Sequence, residues 1–88
     1  MLIRISRFGD ILTSRPSGRE AFLVASAYIF KDEEKEFTLD FSDVKVLTPS
    51  WADEFIGGIK NKFKNAAVKY ENTSNPSVSE TLKIINQA

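Results

Sequence analysis

Apolar and polar residues along this chain alternate between two periods, and the switches mark its elements. Residues 2–5, LIRI, form a short apolar run with β-branched members, which predicts a strand. Gly9 and Asp10 signal a turn, and Ile11, Leu12 and Thr13 predict a second short strand. The segment SRPSGRE then opens a helix over residues 18–31. Ser17 followed three residues later by Glu20 fits a capping box. Phe22, Leu23, Ala25, Ala27, Ile29 and Phe30 make that helix more apolar than a one-sided surface helix needs. Either it is deeply buried or its outer face meets a partner.

A charged connector, residues 31–36, reads as a solvated loop. Phe37, Leu39 and Phe41 then alternate with polar residues, as in a strand with one apolar face, and Val44, Val46 and Leu47 continue the burial. Thr48 suits an N-cap and Pro49 the first helical position, where a missing N–H costs nothing. Ala52, Phe55, Ile56, Ile59 and Phe63 recur on one helical face. Asp53 and Glu54 near the start and Lys60, Lys62 and Lys64 near the end match the helix dipole. Gly57 and Gly58 interrupt this helix at a cost of about 1 kcal/mol each, which predicts a close approach of the helix to the sheet. Residues 66–71 form another strand with Val68 and Tyr70 on one side. A polar loop, 72–75, leads into a last helix that starts at Asn75-Pro76 or at Ser77 with Glu80, and buries Val78, Leu82 and Ile85.

Strands alternating with helices imply an α/β fold with a mostly parallel sheet of three or four strands and about three helices. In such sheets, sites lie at the carboxyl ends of strands. Residues 48–53 and 72–77 both follow strand ends, so they are expected to share one edge. Eighty-eight residues suggest one domain spanning residues 1–88.

Composition narrows the chemistry. The chain has no His and no Cys, so zinc sites of the usual kinds and a disulfide framework are excluded. No cofactor or metal is expected, and neither is an enzyme. Twelve basic residues balance twelve acidic ones, which argues against a nucleic-acid partner. No apolar run approaches the roughly 20 residues that cross a bilayer, and the first ten residues lack a signal-peptide core. A cytoplasmic protein with no membrane partner is the simplest expectation.

The segment LDFSDVKVLTPSWADEF resembles the central strand and helix of STAS domains, typified by bacterial anti-sigma-factor antagonists. It is most similar to a short STAS-like group of unknown function that carries an LDFS…T-x-S-F-A-D-E-F pattern. The strand AVKYEN and the following NPSVSETLKII also resemble the last strand and helix of that fold. The resemblance implies a small STAS-like sandwich and a signalling, regulatory module. In anti-sigma-factor antagonists a Ser at the start of this helix is phosphorylated by a histidine-kinase-like ATPase, and the unmodified form binds that partner. Aligned from Leu39, the acceptor falls on Pro49, and Trp51 stands where a small glycine is usual. Proline cannot accept a phosphoryl group. Ser50 is therefore the candidate phosphoacceptor, or Thr48, if the register shifts at the helix start.

Three readings follow. In the first, Thr48, Ser50, Trp51, Asp53 and Glu54 form a docking surface for a regulatory protein. In the second, Ser50, Asp53 and the loop from Asn72 to Asn75 bind a small ligand or anion at the sheet edge. In the third, compatible with both, the apolar first helix mediates a homodimer. Asp40 and Asp43 read as strand-end and turn residues, and Arg15 and Arg19 as surface residues.

Overall fold

The computed structural model describes residues 1–86. The chain runs β1 (Leu2–Arg4), a 3-10 turn (Ile5–Phe8), β2 (Ile11–Leu12), α1 (Arg15–Tyr28), β3 (Glu36–Asp40), β4 (Val46–Leu47), α2 (Pro49–Lys62), β5 (Ala67–Glu71) and α3 (Pro76–Ile85). The fold is α/β, with three helices and parallel pairing throughout, as the alternation of periods predicts.

The strands form two sheets rather than one. β3 lies between β1 and β5, and β2 pairs with β4 as a separate two-stranded ribbon. Leu2, Thr38 and Lys69 stand in register across the larger sheet, as do Arg4, Asp40 and Glu71. These residues share one face, and Ile3, Phe37, Leu39, Val68 and Tyr70 share the other. The second face carries the core. Ile3, Phe37 and Leu39 have no solvent exposure, and Phe37 meets Phe63 of α2's end at 5.0 Å between ring centres and Phe30 at 5.3 Å. The first face is polar and open, with Leu2 60% exposed.

Each helix starts with a capping side chain and a proline in the first turn. The Ser14 hydroxyl accepts from the Ser17 N–H at 3.1 Å, and Asn75 Oδ1 accepts from the Ser77 N–H at 2.8 Å. Thr48 caps α2 as expected. α1 therefore begins three residues earlier than a Ser17 cap implies. Pro16, whose missing N–H is harmless only in a first turn, sits inside the helix instead of before it. The Ser77 hydroxyl is likewise not a cap: it accepts from the Leu47 N–H at 2.9 Å and donates to the Leu47 carbonyl at 3.2 Å.

The α2 glycines also differ from expectation. A Cβ on Gly58 would lie 2.7 Å from the Phe22 ring, so this glycine receives α1, not the sheet. Gly18 does the same from the other helix. Its Cβ would lie 2.5 Å from the Trp51 carbonyl oxygen. α1 and α2 thus cross at bare backbone. That contact requires glycine at both places.

Candidate functional site

The start of α2 is built from three directions. From below, the Thr48 N–H donates to the Leu12 carbonyl at 3.0 Å, and its hydroxyl donates to the Thr13 carbonyl at 2.8 Å. That side chain also caps the helix, accepting from the Trp51 N–H at 3.5 Å. From the α3 side, Thr81 Oγ1 donates to the Leu47 carbonyl at 2.6 Å, and Asn75 Nδ2 donates to the carbonyls of Val44 and Lys45. From α1, Arg15 donates to Asp53 Oδ2 at 2.8 Å and stands 3.7 Å from Glu54. The turn at residues 48–54 is therefore held by β2, α3 and α1 together. The loop before α3 and the first turn of that helix reach the segment that leads into this turn, through Asn75 at Val44 and Lys45 and Ser77 at Leu47.

Five side chains were expected to form a surface here, and the structure separates them. Ser50 is half-buried, and among the described residues its hydroxyl has no hydrogen-bond partner. Asp53 is exposed, and Glu54 is partly so. Thr48 is spent on capping and on bonds to β2. Trp51 is a correction: it has no exposure at all and cannot be a surface anchor. Its ring stacks on Phe55 at 5.1 Å and 18° and lies 6.2 Å from Phe8. The position follows from helical geometry, because Trp51 lies on the same side of α2 as Phe55, roughly opposite Asp53 and about 100° around the helix from Ser50. Trp51 Nε1 has no partner among the described residues, so packing alone holds the ring.

The loop 72–75 supplies few free groups. Asn72 Nδ2 donates to Asp40 Oδ1 at 2.8 Å, and Asn75 is used at both ends of its amide. A small-ligand site made from these side chains would have to break bonds that hold the edge together.

Asp40, at the end of β3 as the sequence predicts, gathers three donors. The Ser42 hydroxyl bonds its carboxylate at 2.7 Å, the Ser42 N–H at 2.9 Å and Asn72 at 2.8 Å. The Ser42 hydroxyl first, then Asn72 and the Ser42 N–H, hold the carboxyl at about 2. An ionised acceptor of this kind is the reverse of a general acid, whose pKa is raised. Its work is to tie the end of β3 to the end of β5. The sequence does carry a trace of this, since Asp followed by Ser two residues on is an Asx-turn pattern.

A pH dependence follows. The folded pKa of Asp40 lies below the unfolded value of about 3.9. Its stabilisation is therefore complete above that value and is lost as pH falls toward about 2. We expect Asp40→Ala to cost about 2 kcal/mol near neutrality, from hydrogen bonds to a charged acceptor. Urea unfolding at pH 6 and at pH 2.5 should show the gap between wild type and variant narrowing at the acid end. An equal gap at both values would contradict this.

Among the described residues there is no group of three or more His, Cys, Asp or Glu placed to hold a metal ion. No described helix is long and apolar enough to cross a membrane.

The architecture is that of a small parallel α/β domain with its best-formed edge at the β4–α2 junction. The chain belongs to the family described as STAS-like domain of unknown function (DUF4325), which matches residues 27–78. That span runs from the end of α1 to the start of α3 and includes the whole edge from Thr48 to Glu54. No curated protein and no solved structure matches the chain.

Proposed function

We propose that this domain is a non-enzymatic interaction module that docks a regulatory protein through the first turns of α2. The observation that carries the reading is the rigid presentation of Ser50, Asp53 and Glu54. Three elements fix the backbone beneath them, while among the described residues the Ser50 hydroxyl has no hydrogen-bond partner, Asp53 is exposed beside Arg15 and Glu54 is partly exposed. A surface held in one conformation binds at low entropic cost. Trp51 supports this surface from inside.

The partner that the STAS resemblance suggests is a histidine-kinase-like ATPase. The resemblance puts its acceptor at Pro49, which cannot be phosphorylated and starts α2, so the phosphoacceptor proposed here is the neighbouring Ser50, one residue further into the helix. A phosphoryl group there adds about −1.5 to −2 charges beside Asp53 and Glu54. Repulsion from an acidic or closely packed partner surface would then release the complex.

Ser50→Asp tests the reading without harming the fold. The position lies in the first turn of α2, where a carboxylate favours the helix dipole, so the melting temperature should hold or rise slightly. Affinity capture from native cell extract, read by mass spectrometry, should retain a regulatory ATPase on wild type. The variant should weaken that capture at least tenfold, which is about 1.4 kcal/mol. Equal retention by both proteins would count against this surface.

A further inference from the structure

The two glycines inside α2 are not alike. Gly58 is explained by the Phe22 ring lying against it. Gly57 is not: a Cβ there would meet only Asp53 Oδ1, at an ordinary 3.8 Å. Glycine in a helix interior loses stability against alanine. Among the described residues no close neighbour requires glycine at position 57.

Its outward effect is plain. Between α1 and α2 runs a shallow groove bounded by Arg19, Phe22, Asp53, Glu54, Gly57 and Gly58. Gly57 leaves backbone bare there. Beside the groove, α1 exposes Leu23, at 52%, while the exposed Val24 and Tyr28 lie further round the helix, with Val24 beside Phe8, Ser17 and Glu20. Leu23 follows Arg19 by one helical turn, so it stands on the same side of α1 as the groove's rim. One face of the α1–α2 layer therefore carries both an apolar knob and a bare hollow. A two-fold interface requires a patch complementary to itself, and this face has both halves.

We propose that two copies of this chain associate through that face, with Leu23 of each copy seated over Gly57 of the other. The groove's charges support a like partner over a strongly acidic or basic one, because its rim mixes Arg19 with Asp53 and Glu54. One exposed leucine over a bare groove falls short of the roughly 800 Å² per partner of a standard interface, so the dimer is weak and concentration-dependent. The rim also contains Asp53 and Glu54 of the partner surface proposed above. Self-association and partner docking then compete for one face. The dimer does not depend on the partner reading, since it is measured on the purified chain alone.

Sedimentation equilibrium over a concentration series tests it. Gly57→Gln fills the groove and puts a good helix former where glycine stood, so its melting temperature should rise. Leu23→Lys removes the knob from an exposed position and leaves the core intact. Wild type should pass from monomer to dimer mass as concentration rises. Each variant should raise the dissociation constant at least about tenfold, the scale of a lost interface anchor. An equimolar mixture should associate more tightly than either variant alone, because the intact groove of Leu23→Lys receives the intact Leu23 of Gly57→Gln. A wild type that is monomeric throughout, a dimer indifferent to both substitutions, or a mixture no tighter than its components would each overturn the proposal.

Discussion

Trp51→Ala should remove a large share of the stability of this domain. The ring is fully buried between Phe55 and Phe8, and truncating a buried Trp costs about 3–5 kcal/mol. A domain of this size holds about 4–13 kcal/mol in total. Trp51→Phe keeps most of the stacking and removes the unpaired indole N–H, so it should fold and lose far less. Urea denaturation of the two variants beside wild type separates these outcomes. If Trp51→Ala stayed as stable as wild type, the ring would not be the support beneath α2 that its burial implies.

The second large effect is at Gly18. An added methyl would press on the Trp51 carbonyl at 2.5 Å, and a backbone oxygen cannot rotate away. Overpacking of this kind costs about 1–3 kcal/mol, against a helix-propensity gain of about 1 kcal/mol. We expect a net loss, seen as a fall of about 5–10 °C in melting temperature for a domain this small. The same methyl at Gly57 meets open space and should raise the melting temperature. Two Gly→Ala changes on adjoining helices with opposite signs would be hard to explain by propensity alone. A rise at both would mean that α1 and α2 do not cross at bare backbone.

The parts of this fold that were legible in the sequence are those set by local periodicity. Phe37 and Leu39 mark β3, and Ala52, Phe55, Ile56 and Ile59 mark the buried face of α2. Thr48-Pro49 starts α2 where the pattern places it. What escaped is pairing across long separations. β2 and β4 have only two residues each, and Ile11 meets Val46 through bonds that no period announces. The α1 start was ambiguous because Ser14 and Ser17 both precede helix-compatible residues, and only the position of Pro16 in the first turn separates them. Gly58 signalled a close approach correctly, but periodicity cannot say whether α1 or the sheet supplies the neighbour. The site shows the same division. Ser50, Asp53 and Glu54 face outward as helix geometry requires, and Trp51 faces inward by the same rule. The Arg15–Asp53 bridge and the donors around Asp40 join residues more than thirty positions apart, except for Ser42. The chain order alone does not bring them together.

The central claim is that the first turns of α2 form the docking surface. It is tested most directly by backbone amide NMR of the labelled domain, titrated with the captured partner. The account predicts that shifts and line broadening concentrate on residues 50–57, with smaller changes on the facing turn of α1. Perturbations confined to the open polar face of the sheet, around Leu2, Thr38 and Lys69, with α2 unchanged, would contradict it.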